Sequence, residues 1–397
     1  MIKDLSLQAV FMGLLTAFVG FASAFAVVLQ GLRGAGATEA QAASGLMAVA
    51  VAMGICAMVL SIKDRMPVWI AWSTPGAALL ATTGAPEQGF PEAVGAFIIS
   101  GLLIIVAGLL KPLTRAVSAI PTPLASAMLA GVLLSLCLAP FQAIAFYPDL
   151  GLPIFVAWVI TYLIAPRLAV PAALVTFIAV IFFGVDMPVG SLATLSEAAF
   201  PRPEMIAPIF TVAAAFNIAV PLFIVTMASQ NIPGLAVLKT YGFPLKPGLW
   251  FTTTGIFSVL SAPFGGHAVN LAAITAAMTA SQEAHPQKKR RYWAAIIAGV
   301  ASVGLGLLAG LVTAFVTLAP GILIEAVAGL ALITTFVTAI NGAFKDEDTR
   351  IAAATTFLLT ASGISIIGIS GAFWGLVAGI LIVMFQSKLR PVDHSPD

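Results

Sequence analysis

The apolar run from Leu5 to Leu32 carries no charge, and runs of the same kind recur to the end of the chain, parted by short breaks that hold the charges and prolines. A lipid core about 30 Å thick takes about 20 apolar residues as a helix, the form that pairs every backbone N–H and C=O within one segment. A chain of 397 residues that is 60% hydrophobic and 9% charged is therefore read as an all-α polytopic membrane protein. Lys3 and the Ala22-Ser23-Ala24 triplet imitate a cleavable leader, but a leader's apolar segment is shorter and is not followed by many equals. The formal net charge of +2 offers no surface for nucleic acid. Cys56 and Cys137 sit in GICAMVL and SLCLAP and read as small buried hydrophobes, not as a disulfide or metal site.

Breaks at charges, prolines and turn residues give spans near 6–32, 40–62, 70–84, 90–110, 118–140, 149–165 and 169–185. A polar stretch from Asp186 to Glu204 follows, then spans near 206–231, 248–262, 264–280, 292–317, 320–341, 350–362 and 364–386. Basic residues test this count, because they collect in cytoplasmic loops. All of the 18 Lys and Arg except Arg33 and Arg202 fall on one side, together with both termini. Fourteen elements with both ends cytoplasmic keep that order; deleting one would scatter the bases. Seven elements per half is an odd number, so the second half enters the membrane upside down, as an inverted repeat.

Spans 3 and 10 differ from the rest. Ala71-Trp72-Ser73-Thr74-Pro75-Gly76 and Ser261-Ala262-Pro263-Phe264-Gly265-Gly266-His267-Ala268-Val269-Asn270 put proline, glycine and polar side chains where lipid-facing helices hold none. After Pro75 or Gly266 only about 10 to 15 residues remain for a helix, roughly 20 Å, too short to cross. Each is expected to be a half-helix preceded by a short extended strand, Val68 to Trp72 and Phe257 to Leu260, the two strands pairing near the midplane.

Helices that begin inside the membrane present unpaired amides and partial positive charge, an anion site without a buried Lys or Arg. Gly76, Gly265 and Gly266 would let a ligand approach the backbone, or simply let helices pack closely, while Ser73 and Thr74 bring hydroxyl donors. His267 is the one histidine predicted within the membrane; it either takes and releases a proton or holds the break together by hydrogen bonds. Asn270 is expected one helical turn beyond Gly266, and Gln230 and Asn231 are expected to end span 8 opposite Gln30 of span 1. Each amide touches substrate or ties helices together. Ser23 and Asn217 fall nearer the middle of spans 1 and 8, and Phe25 and Phe264, with Phe21, Phe216 and Phe223, are rings that could sandwich a planar ligand. Glu325 is the one acid placed inside a span; it carries protons or reaches water at the outer end of span 12. No phosphate loop, acid pair or metal-binding cluster is present, so neither an enzyme nor a cofactor is expected.

Val-Gly-Phe-Ala-Ser-Ala-Phe-Ala-Val-Val-Leu-Gln30, Ser-Thr-Pro-Gly76, Ala-Ser-Gln230-Asn231-Ile-Pro-Gly and Pro-Phe-Gly-Gly-His267-Ala-Val-Asn270 together resemble the benzoate:proton symporter (BenE-type) family of bacterial inner membranes, over nearly the whole chain. That family is distantly similar to uracil/xanthine permeases and sulfate permeases, which divide a seven-plus-seven repeat into core and gate domains. The resemblance implies core segments at 1–112 and 205–318 and gate segments at 113–204 and 319–390. Nucleobase permeases carry acids in spans 8 and 10 where this chain has Gln230 and Gly266-His267. A site without those carboxylates no longer repels an anion, which leaves His267 as the proton group. The implied function is import of benzoate or a related aromatic carboxylate by proton symport, with elevator-like movement of core against gate. A permease for nucleobases or another organic anion, and an anion channel, are the alternatives. The sequence leaves open Na⁺ against H⁺ coupling and whether the chain pairs as a homodimer.

Overall fold

The computed structural model describes residues 5–22, 24–110, 121–185, 191–198, 200, 202–272, 275–316, 318, 320–366 and 369–389. The first apolar run forms two helices, α1 (Leu7–Ala22) and α2 (Phe25–Gly34), rather than one. Ser23, between them, lies outside the described residues. α3 (Glu39–Asp64) starts on a capping box in which Thr38 Oγ1 accepts from Gln41 N at 3.2 Å and Gln41 Oε1 accepts from Thr38 N at 3.0 Å. There follow β1 (Ile70–Trp72), α4 (Thr74–Thr83), α5 (Phe90–Leu109), α6 (Thr122–Phe146), α7 (Pro148–Ile164), α8 (Ala169–Gly184) and α9 (Ser191–Ala198). The second half holds α10 (Val212–Lys239), α11 (Pro247–Ser261), β2 (Val269–Leu271), α12 (Ala276–Ala280), α13 (Tyr292–Leu307), α14 (Ala309–Val316) and α15 (Gly321–Ala343). It ends with α16 (Arg350–Ala361), a β3–β4 hairpin (Ser365–Ile366 and Ile369–Ser370) and α17 (Gly371–Leu389). Among the described residues, six spans are long and apolar enough to cross a membrane, α1 and α2 counting together as one, or seven if α13 and α14, bent by 52°, are one span as well.

Four expectations change. Phe257 to Leu260 are not extended; they lie inside α11, and the extended chain is 266–272. The aromatic and β-branched residues there pack as helix, and the break comes where Gly265 turns the chain at φ +86°. Gly265 and Gly266 therefore end a helix instead of starting one, and the helix beyond β2 is only Ala276–Ala280. Span 8 begins at Val212, not 206, and runs on past Asn231 to Lys239. Two π-helical turns, Ala215–Ala219 and Met227–Asn231, sit just before Pro221 and Pro233. The wider turn moves Asn217 and Ser229 carbonyls, four residues back, away from each proline ring, so the helix survives both. Lastly, 364–366, 369 and 370 are not helical, and the final helix starts at Gly371.

Close packing rests on reciprocal glycines. A Cβ on Gly54 of α3 would lie 2.5 Å from Gly299 O of α13, and one on Gly299 would lie 2.6 Å from Gly54 O. A Cβ on Gly255 of α11 would lie 2.8 Å from Gly101 O of α5, and one on Gly101 would lie 3.2 Å from Gly255 O. Backbones that approach this closely gain dispersion contacts, which drive helix association where lipid removes the hydrophobic term. α6 packs along α15 and α16, with Gly329 of α15 against Leu136 O. Gly54→Val should lower the melting temperature of the purified protein sharply, by overpacking worth about 1–3 kcal/mol or more. Gly304→Ala on α13, whose Cβ would meet nothing within 4 Å, should not. Equal stability of the two variants would show that the close approach is dispensable.

Candidate functional site

β1 and β2 pair antiparallel, Ile70 opposite Leu271, Ala71 opposite Asn270 and Trp72 opposite Val269. Ser73 N to Ala268 O (2.9 Å) and Ala272 N to Trp69 O (3.1 Å) extend the ladder at both ends. No third strand meets the other edge of β2 among the described residues, and side chains close it. Val269 N donates to Ser258 Oγ of α11 at 3.0 Å, and Leu271 N donates to Asn231 Oδ1 of α10 at 2.9 Å. Asn270 Nδ2 donates to Leu271 O at 2.8 Å. Trp69 Nε1 reaches Thr275 Oγ1 at 2.9 Å, tying β1 to the chain beyond β2.

α4 starts directly at this crossing. Ser73 caps it: its Oγ accepts from Gly76 N at 3.2 Å and shares a hydrogen bond with Thr226 Oγ1 of α10 at 2.8 Å. Pro75 has no N–H, so the first turn presents the amide and hydroxyl of half-buried Thr74. Gly76 must lack a side chain, since a Cβ there would lie 2.4 Å from Leu222 Cδ1. His267 is fully buried and its Nε2 lies 3.2 Å from Ser73 O. A carbonyl only accepts, so Nε2 carries the hydrogen and Nδ1 is the bare acceptor; it has no partner. Asn270 Oδ1 and Gln30 Oε1 are likewise buried acceptors without a donor.

The structure thus brings Ser73, Thr74, Gly76, Asn231, His267 and Asn270 to the crossing, with Asn270 on a strand and Asn231 inside a helix. Phe25 is buried and stacks on Phe21 with ring centres 5.7 Å apart, and Phe21 meets Trp72 edge-on at 5.4 Å, so an aromatic cluster flanks β1. Gly265 and Gly266 serve the turn: a Cβ on Gly266 would lie 2.7 Å from Ser261 Cβ. The carbonyl of half-buried Phe264 accepts from Ser44 Oγ at 2.9 Å. Gln230 is half-buried in the second π-helical turn, and Glu325 is half-buried five residues into α15, apart from the crossing elements.

Asn217 lies elsewhere, near the start of α10, in the wall of a cavity of about 470 Å³. Leu79, Thr82 and Thr83 of α4, Glu92 of α5, Thr211, Val132 of α6 and Thr360 of α16 line it too. It opens to solvent past exposed Gly84 and Glu87, and Ser73, Gly76, His267 and Asn270 are not in its wall. Glu92 is buried: it accepts from Thr211 Oγ1 and, at 3.0 Å, from Gln88 N. The signal for this was local. In Gly89-Phe90-Pro91-Glu92 the glutamate takes the third helical position, from which a carboxylate reaches back to an amide at the helix start.

A helical membrane fold in which two spans break and cross, with polar groups buried at the break, defines a membrane transport protein. Residues 3–385 match the family described as Benzoate membrane transport protein, BenE. The chain is 40% identical over 370 residues to Inner membrane protein YdcO of Escherichia coli (strain K12), covering 92% of this chain and 93% of that one. It is 32% identical over 389 residues to the Benzoate membrane transport protein of Acinetobacter baylyi (strain ATCC 33305 / BD413 / ADP1), covering 97% of each. Among solved structures, the transmembrane domain of the cyanobacterium bicarbonate transporter BicA aligns with TM-score 0.58 at 17% identity, covering 96% of this chain and 98% of that one. The murine Solute Carrier 26 family member A9 anion transporter in its inward-facing state aligns with TM-score 0.61 at 12% identity, covering 98% and 70%. The chain belongs to the BenE family: it is a multi-pass transporter of the bacterial inner membrane, not an enzyme. The two structural likenesses bear on the fold alone.

Replacing Asn231 by Leu should leave the Leu271 amide buried without an acceptor, at a cost of about 1–3 kcal/mol, whereas Asn231→Asp keeps an acceptor oxygen. Thermal unfolding of the purified variants tests this. An Asn231→Leu protein as stable as wild type would remove Asn231 from its place at the strand edge.

Proposed function

We propose that the chain imports benzoate or a related aromatic carboxylate together with a proton, and that the two bind at the β1–β2 crossing. The observation that carries this is the bare Nδ1 of His267, buried beside the first turn of α4. With Nδ1 unprotonated, a carboxylate at the crossing adds more acceptors to a place already short of donors. A proton on Nδ1 turns the ring into a cation with a free N–H, which gives the carboxylate a charge-assisted hydrogen bond. The Thr74 amide and hydroxyl and the positive end of α4 add donors on the same side. Proton and anion then each favour the other's binding, which is the thermodynamic content of symport. Phe25, Phe21 and Trp72 supply ring contacts for an aromatic substrate.

For the wider architecture, residues 1–112 and 205–318 form a core that moves against a gate of 113–204 and 319–390, in a seven-plus-seven inverted repeat with both termini cytoplasmic. Packing supports the repeat. Exchanging each span for its counterpart seven places on turns the α5–α11 contact into the α13–α3 contact, and the glycine pair Gly101–Gly255 into Gly299–Gly54. Contacts of α6 with α4 and of α15 with α2 mark where the two bodies would slide.

Proteoliposomes should accumulate labelled benzoate when the outside is made acidic. His267→Gln should abolish the dependence on the gradient, and Glu325→Gln should keep it. Uptake indifferent to the pH gradient would sink symport, flux that never exceeds equilibrium would make the protein a channel, and competition by uracil or xanthine but not substituted benzoates would reassign the substrate.

A further inference from the structure

Ahead of α10 the chain runs from 202 to 211 without helix or strand. Pro203 and Pro208 keep it extended, and they have no N–H to satisfy. The amides between them need partners that a lone extended segment cannot give itself, and other elements supply them. Glu204 N donates to Ser44 Oγ of α3 at 2.9 Å, and that buried hydroxyl donates to Phe264 O at 2.9 Å. Ile206 N donates to Pro263 O at 2.7 Å, and Ile209 N to Pro91 O at 2.9 Å. Thr211 ends the series: its hydroxyl donates to Glu92 of α5 and accepts from Ala214 N at 3.0 Å, which caps α10. Gly95 of α5 makes room for the segment, since a Cβ there would overlap Ile209 O. The partners thus belong to α3, to α5 and to the turn between α11 and β2.

Further upstream, α9 packs on α14, where a Cβ on Gly310 would lie 2.5 Å from Ala198 O. α14 in turn packs on α3, the helix that carries Ser44. A polar, proline-bearing stretch that ends at Glu204 suggests a boundary between the halves at that residue; the contacts move it upstream. We propose that the chain from α9 to Thr211 is a strap that travels with the core and clamps its outer rim, and that the joint between the two halves lies between α8 and α9. A strap that peeled away in each cycle would break the bonds of Glu204, Ile206, Ile209 and Thr211 every time and leave buried Glu92 without its Thr211 donor. Fixed to the core, it holds Pro263 and Phe264 in place, and with them the turn that leads through His267 into β2.

It rests on the core that slides against a gate, and two cross-links separate the claims. In full-length protein with Cys56 and Cys137 replaced by alanine, Pro91→Cys with Ile209→Cys joins the strap to α5. Phe216→Cys with Phe373→Cys, at rings whose centres are 6.0 Å apart, joins α10 of the core to α17 of the gate. Each pair is closed by a short bifunctional thiol reagent, reopened by reductant, and assayed for accumulation of labelled benzoate in proteoliposomes. The linked strap pair should transport as fast as its reduced form, while the linked core–gate pair should lose transport and regain it on reduction. Loss of transport on linking the strap, restored by reductant, overturns this proposal and leaves the sliding core standing. Transport that survives the Phe216–Phe373 link overturns the sliding core, and the strap's travel with it. Hydrogen exchange on the wild-type protein needs no substrate and no variant: the amides of Glu204, Ile206 and Ile209 should exchange as slowly as those in the interior of α5. Exchange of these three at the rate of open loops overturns the proposal whatever the protein carries.

Discussion

Two pieces of extended backbone meet inside the protein with no third strand beside them among the described residues, and every amide they expose needs a partner that lipid does not supply. The pairing of β1 with β2 answers half of that need. On the free side of β2, three side chains, Ser258, Asn231 and Asn270, reach the amides of Val269 and Leu271 and the carbonyl of Leu271. An unmet buried amide costs about 1–3 kcal/mol against a net stability of about 5–15 kcal/mol, so these contacts fix where α10 and α11 stand. The π-helical turn at Met227–Asn231 is part of the same solution: it holds Asn231 toward β2 while letting Pro233 remain in a continuous helix.

Around the crossing, rigidity comes from backbones in near contact. At Gly54 and Gly299, and again at Gly101 and Gly255, each helix places a carbonyl where any side chain on its neighbour would have to be. Such contacts admit no sliding, because a small displacement drives side chains from adjacent turns into the carbonyls. The helices on the other side of the molecule use the same device, with Gly329 of α15 against Leu136 O of α6 and Gly131 of α6 against Phe357 O of α16.

Much of this was legible in the sequence because polarity in an apolar chain has few explanations. Pro75 and Gly76 after Ser73 marked both the break and its position, and the residues around His267 marked its partner. The direction of the second break was not legible. A glycine pair ends a helix as readily as it opens a ligand site, and only φ +86° at Gly265 decides between them. With the break displaced by several residues, Asn270 moved from a helix face to a strand. The ends of α10 were misplaced for a related reason: prolines at 221 and 233 look like helix ends unless a π-helical turn accommodates them, and no local residue preference announces that turn. Glu92 did not stand out in the sequence because acids near the end of a span are solvated on average, a rule that fails where a Thr from another element, Thr211, satisfies the carboxylate.

Transport of an anion through a site with no Lys or Arg among its crossing residues is a sensible arrangement once coupling is considered. A permanent cation would bind the carboxylate whether or not a proton had arrived, and the carrier could then return charged with substrate alone. Uncharged acceptors do the opposite. Under the proposed coupling, the bare Nδ1 of His267 offers an anion no hydrogen bond until a proton is added, so the donors of the first turn of α4 hold the anion better once the proton has arrived.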